Sequence, residues 1–100
     1  MLIVREVVTT KPGQASKLAK LFRKVFASDP TARVMTDMVG NYNTVVVEMQ
    51  VKNLAEFERQ MEEYKSGKPD PNIDPKVAEE MSHYTEMYLT GRREIYQIVE

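Results

Sequence analysis

The chain has no cysteine, no tryptophan and a single histidine, His83, among its 100 residues. Without cysteine there can be no disulfide, no thiol nucleophile and no thiolate metal site. Long apolar runs are missing too. The longest, "TVVVEM", falls far short of the roughly 20 residues that a membrane-spanning helix requires. The opening "MLIVREVV" carries charge inside its apolar run and has no basic segment before it, so it does not read as a signal peptide. Nor does one sign of charge dominate: 14 Lys and Arg stand against 15 Asp and Glu. A nucleic-acid binder usually gathers Lys and Arg on one surface. Here the densest basic cluster is Arg92-Arg93, followed at once by Glu94. There is no P-loop, G-x-G-x-x-G, G-x-S-x-G or H-E-x-x-H motif. The expectation is a cytoplasmic protein with no nucleic-acid partner, no membrane partner and no cofactor.

What the sequence does contain is an ordinary folding alphabet. Hydrophobic residues make up 42% and charged residues 29%, which is a globular rather than a disordered composition. One domain over residues 1–100 is expected, because this length can bury a core of its own.

"LIVREVVTT" is a β-branched run bounded by "KPG" and reads as a strand. In "QASKLAKLFRKVFASDP", Ala15, Leu18, Leu21, Phe22, Val25 and Phe26 fall on one helical face, and Asp29-Pro30 stops the helix. "TARVMTDMVGNYNTVVVEMQVKN" reads as two strands around "GNYN", since Asn and Gly accept left-handed backbone. On the second arm, Val45, Val47, Met49 and Val51 form one face and Val46, Glu48, Gln50 and Lys52 the other.

Asn53, three residues before Glu56, opens a helix whose stripe is Leu54, Phe57, Met61 and Tyr64 and whose end is Gly67. "KPDPNIDP", with three prolines in eight residues, is a stiff connector. Asp74-Pro75 starts another helix, expected to run to about Thr90 and to end at Gly91, with "RREIYQIVE" as the last strand.

The order strand, helix, strand, strand, helix, helix, strand predicts an α+β, ferredoxin-like β-α-β-β-α-α-β chain with a four-stranded antiparallel sheet. The first and third strands should be central and the second and fourth at the edges. All the helices can cover only one face of such a sheet. Yet the first strand places Leu2, Val4 and Val8 on one side and Ile3 and Val7 on the other, and the last strand is similarly two-sided. Each such side chain contributes roughly 1.5–3 kcal/mol when buried. A homodimer packing sheet against sheet is therefore expected.

The first strand, the "KPG" turn, the amphipathic helix beginning "QASKL" and the valine-rich third strand resemble the dimeric α+β barrel superfamily. "VVTTKPGQASKLAKLF" is similar to its antibiotic-biosynthesis-monooxygenase-like and NIPSNAP-like members. The resemblance implies two sheets from two subunits forming a barrel, with a pocket between sheet and helices in each. Members include cofactor-independent oxygenases, haem-degrading enzymes, small isomerases and proteins of no assigned activity. The haem-degrading members use Asn, Trp and His. This chain has no Trp, and it places Arg5 and Glu6 where the Asn would stand.

His83 is the candidate catalytic residue. On a helical wheel from Pro75 the core stripe is Val77, Met81, Tyr84 and Tyr88, and His83 lies off it beside Glu79, Glu80 and Met87. It is either a solvated residue on a helix flank or a proton-handling group in a pocket. Glu79 and His83 have i, i+4 spacing, but no third metal ligand is visible and no metal is expected.

Arg5, Glu48, Tyr84 and Tyr88 are the candidate ligand-binding residues. Arg5 and Glu48 suit a cross-strand ion pair within a barrel, or polar groups that orient a small organic ligand. The tyrosines suit core or pocket wall. Three functional classes follow: a cofactor-independent monooxygenase or isomerase on a small organic substrate, a small-molecule binding module without chemistry, and a structural dimer.

Overall fold

The structure, a computed structural model, describes residues 1–67 and 71–100. In chain order its elements are β1 (Leu2–Thr10), α1 (Ala15–Val25), β2 (Arg33–Thr36), β3 (Thr44–Val51), α2 (Leu54–Lys65), α3 (Pro75–Met81), a 3-10 turn (Tyr84–Glu86) and β4 (Tyr88–Gln97). The strands form one antiparallel sheet in the order β2-β3-β1-β4. The two most apolar strands are therefore central, as their composition predicts. Of the "KPDPNIDP" connector, Lys68, Pro69 and Asp70 lie outside the described residues.

Alternation on β1 and β3 decides which face receives the helices. Val8 pairs with Val45, and Glu6 with Val47. These valines pack beneath Leu18, Leu21 and Phe22 of α1, with Met87 completing the buried cluster. The helix stripe and the period-two stripe meet as two apolar surfaces, which is the main source of stability in a layered fold. Gly13, with φ of +83°, turns the chain from β1 into α1. Few residues other than glycine accept that conformation.

The caps read from the sequence are present. Asn53 Oδ1 accepts the Glu56 amide at 2.9 Å, and Asp74 Oδ1 accepts the Lys76 amide at 2.8 Å ahead of Pro75. Gly67, at φ +72°, follows α2.

Three local expectations are corrected. First, the helix from Pro75 ends at Met81 rather than near Thr90, and Gly91 lies within β4 opposite Val8. The reason is tertiary. The Lys11 amide donates to the Met87 carbonyl at 2.9 Å, and Thr10 pairs with Tyr88, so β1 recruits this segment as its partner. Tyr88, Leu89 and Thr90 are acceptable in a strand, and weak helix propensity at Tyr88 and Thr90 offers little resistance.

Second, β2 stops at Thr36, so Met38 and Val39 stand in a loop, 99% and 97% exposed. Asp37 ends the strand by accepting the Thr44 amide at 3.1 Å. The left-handed positions of this loop are Tyr42 and Asn43, with φ of 65° and 55°, rather than Gly40.

Third, the α2 stripe is not buried. Leu54 and Tyr64 are 61% and 67% exposed, and Phe57 and Met61 are only half-buried.

Candidate functional site

The end of β1 carries the chain into the turn at Lys11–Gln14, and the Lys11–Met87 hydrogen bond draws the segment around His83 against that turn. Between them lies a groove of about 780 Å³. Lys11, Gln14 and Lys17 stand on the β1–α1 side. Glu80, His83 and Glu86 come from the end of α3 and the 3-10 turn. Leu21 and Met87 contribute apolar surface and belong to the buried core.

His83 is not on the flank of a long helix. It precedes the 3-10 turn, and its Nδ1 lies 3.6 Å from Glu86 Oε1. The carboxylate within ion-pair distance is Glu86, three residues on; of the two expected neighbours, Glu79 and Glu80, Glu80 lines the groove with it. Met87, expected beside it on the flank, is buried.

Two of the other candidates lie on the opposite side of the sheet. Arg5 and Glu48 face away from the helices, with Arg5 Nε 3.1 Å from Glu48 Oε2. They belong to a row that alternates in sign across all four strands. Arg33 Nη2 lies 2.7 Å from Glu48 Oε1, and Arg5 Nη1 lies 3.6 Å from Glu94 Oε1. Arg92 adds a contact to Glu94 at 3.3 Å. Glu48 is the most enclosed member, its side chain 17% exposed between two arginines. Arg5 Nε is buried without an aligned hydrogen bond, so its link to Glu48 is an ion pair off the hydrogen-bonding axis.

Tyr84 and Tyr88 are on the helix side. A bulge places Tyr88 there: Thr9 pairs with Thr90 but Thr10 pairs with Tyr88, so Leu89 is the extra residue. One additional residue reverses the side of the sheet on which the next side chain emerges. Tyr88 then packs edge-on to Tyr84, with ring centroids 6.0 Å apart. Its ring also lies across Gly91, where a Cβ would meet Tyr88 Cε2 and Oη at 2.9 Å. The five sequence candidates thus fall into three places: His83 in the groove, Arg5 and Glu48 on the open face, and the tyrosines against the core.

The helix side also holds an ion pair that the sequence did not signal. Arg93 donates to Glu6, and the Arg93 guanidinium lies 5.4 Å from the Phe57 ring centroid. Residue parity on β1 and β4 would have found this pair only with the register known.

Two titrating groups are displaced from their ordinary range. Burial raises the Tyr84 phenol, with further contributions from Tyr64, Tyr88 and the Glu6 carboxylate. For Glu94, burial pushes the carboxyl up, but hydrogen bonds from Arg92 and Tyr96 and the charges of Arg92 and Arg5 prevail and hold it low.

Among the described residues, no group of three or more His, Asp or Glu is arranged to hold a metal ion. Among them too, no helix is long and apolar enough to cross a membrane.

No protein-family profile matches the chain, and no curated protein does. Solved structures do match. An uncharacterised NIPSNAP domain protein from Burkholderia xenovorans is 14% identical with a TM-score of 0.69, over 99% of this chain and 95% of that one. A NIPSNAP family protein from Agrobacterium tumefaciens is 12% identical with a TM-score of 0.74, over 100% and 95%. An antibiotic biosynthesis monooxygenase is 12% identical with a TM-score of 0.65, over the whole of both chains. At such identities the likeness is one of fold. The chain has an α+β, ferredoxin-like fold, and it shares that fold with NIPSNAP-domain and antibiotic-biosynthesis-monooxygenase-like proteins.

Proposed function

We propose that this chain, a single domain over residues 1–100, forms a homodimer of the α+β barrel type. In that reading it binds a small organic molecule in the groove at His83, and His83 moves a proton on that molecule. The reaction class is that of an isomerase or a cofactor-independent monooxygenase, both of which can begin by removing a proton from carbon.

The observation that carries the catalytic reading is the His83–Glu86 pair on the wall of the groove. A carboxylate beside Nδ1 favours the tautomer that leaves Nε2 for a substrate. Pairs of this kind are often long before substrate binds and tighten with it. The groove is lined mostly by polar residues, with Lys11, Gln14, Lys17, Glu80, His83 and Glu86 around Pro12 and the edges of Leu21 and Met87, so a ligand there would be held by polar contacts more than by apolar burial.

The dimer is supported by surface area. One chain exposes 7483 Å². A monomer of 11.5 kDa is expected to expose about 5,800 Å². The difference, about 1,700 Å² for one chain, is about twice the roughly 800 Å² that each partner buries in a standard interface. On the open face, Met35, Val46 and Val7 form one apolar row, and Ile3 and Tyr96 add to a second beyond the ionic row. A second sheet would cover both.

Binding without chemistry is the second reading. It is favoured by Tyr84 and Tyr88, which pack against the core instead of converging on the groove with His83.

Sedimentation at micromolar concentration is expected to give twice the mass of the chain, and a lone 11.5 kDa particle would overturn the dimer. For the site, a fragment library containing acidic C–H compounds is screened by amide chemical-shift changes. Hits are then followed by proton NMR in D₂O for catalysed C–H exchange. The reading expects shifts at Gln14, His83 and Met87 and exchange that is lost in His83→Ala. Binding with no exchange selects the second reading. No shifts in the groove would remove both.

A further inference from the structure

The charged residues of the groove are sorted by sign. Lys11 and Lys17 stand on the side formed by the β1–α1 turn and α1, and Glu80 and Glu86 on the side formed by α3 and the 3-10 turn. Among the described residues, no ion pair within 4.0 Å joins either lysine to either glutamate. Among the described residues every ion pair is made by an arginine or by His83, so Lys11 and Lys17 keep their charge available to an incoming anion. Opposite charges held apart across the groove are complementary to a molecule that is itself charged at both ends.

The cationic side has further acceptor-seeking groups. Gln14 is the N-cap residue of α1 but makes no side-chain capping bond, and no acidic residue occupies the first turn. Nothing acidic on this helix end competes with an incoming carboxylate for the two lysines. On the other side Glu86 is already beside His83. A ligand ammonium or other donor placed between Glu80 and Glu86 would therefore lie next to the imidazole. The apolar part between the two ends would lie on the exposed ring of Pro12 and the small edges that Leu21 and Met87 leave uncovered.

We infer that the groove binds a small zwitterion with an apolar body, of the kind represented by a hydrophobic α-amino acid. Its carboxylate lies toward Lys11 and Lys17, and its ammonium toward Glu80 and Glu86. This rests on the proposal that the groove is a small-molecule site, and it goes beyond that proposal by naming the ligand class and its direction.

The test uses the full-length protein and a matched set of probes. Phenylalanine carries both charges, N-acetylphenylalanine keeps only the carboxylate, phenylalaninamide keeps only the ammonium, and N-acetylphenylalaninamide has neither. Each is titrated while the backbone amides of Lys11, Gln14, His83 and Met87 are followed by NMR. The zwitterion is expected to bind roughly fivefold more tightly than either singly charged probe, the upper end for one exposed charge pair. Lys11→Gln with Lys17→Gln should weaken phenylalanine and N-acetylphenylalanine but not phenylalaninamide. Glu80→Gln with Glu86→Gln should weaken phenylalanine and phenylalaninamide but not N-acetylphenylalanine. These four side chains are exposed, so the variants are expected to keep the parent amide spectrum outside the groove.

If a singly charged or neutral probe shifts the same amides with equal or greater affinity, the zwitterion inference is wrong and the small-molecule site survives. If none of the four probes shifts the groove but a library hit does, the same holds. If neither the probes nor the library shifts it, both proposals fall.

Discussion

Replacing Gly91 by alanine tests the placement of β4 more sharply than any change in the core. In a helix terminus, where the sequence pattern puts Gly91, a glycine to alanine change acts through the left-handed backbone. In β4 the backbone of Gly91 is not left-handed, and the obstacle is the Tyr88 ring, 2.9 Å from the added Cβ at both Cε2 and Oη. Forcing a methyl into such a contact costs about 1–3 kcal/mol. Restricting the unfolded chain offsets this by about 0.4–1 kcal/mol. The net expectation is a loss of up to about 2.6 kcal/mol, centred on about 1 kcal/mol, or roughly 4–8 °C in melting temperature per kcal/mol for a chain of this size.

The second half of the experiment removes the ring. In a Tyr88→Ala background the clash is gone, and Gly91→Ala should become neutral or stabilising, by up to about 1 kcal/mol. The sign of the effect reverses between backgrounds, which a double-mutant cycle measures directly. Urea denaturation at one fixed protein concentration is the assay, because association would otherwise shift the midpoints. A Gly91→Ala loss of the same size in both backgrounds would refute the reasoning. So would a stabilising Gly91→Ala in the parent chain. Either result would mean that Tyr88 does not cross Gly91 and that the Leu89 bulge is misplaced.

Other consequences are simpler to measure. Asn53→Ala removes the acceptor for the Glu56 amide and should cost about 1 kcal/mol in urea denaturation, with Asn53→Asp close to the parent. Glu48→Gln leaves Arg5 and Arg33 without their shared anion and should destabilise by roughly 1–3 kcal/mol. Glu94 is held low in the fold, so its stabilising contribution is present above the unfolded carboxylate range and is lost as pH falls through the folded value. Glu94→Gln should accordingly flatten part of the acid limb of a stability–pH curve. Tyr84 is held high, so its contribution is present below pH about 10 and is lost as pH rises through the folded value. Ultraviolet titration should find one phenol ionising late, and Tyr84→Phe should remove that phase.

Much of the architecture is written in local pattern. The α1 stripe of Leu18, Leu21 and Phe22, the alternation of Val45, Val47, Met49 and Val51, and the Asn53 and Asp74-Pro75 helix starts each follow from residues within one turn or a few positions. Periodicity and capping are short-range, so they can be read from neighbouring residues alone. It also determines which strands are central, because only Leu2–Thr10 and Thr44–Val51 are apolar enough to be flanked on both edges.

Where the third helix ends is another matter. Val77, Met81, Tyr84 and Tyr88 keep helical spacing, yet the chain leaves the helix at Met81 because β1 offers a partner more than 70 positions away in sequence. The same pairing moves Gly91 from a helix stop into a strand and sends Tyr88 to the helix side by way of the Leu89 bulge. It also brings Lys11, Gln14 and Lys17 opposite His83 and Glu86. Of that groove, the sequence marked His83 as the candidate and set Glu80 and Met87 beside it. Its cationic wall, Lys11 and Lys17, comes from a segment far from His83 in the chain, and no local pattern encodes their meeting. Hydrogen-bond register between distant strands is a long-range property, set when β1 and β4 meet in the folded chain.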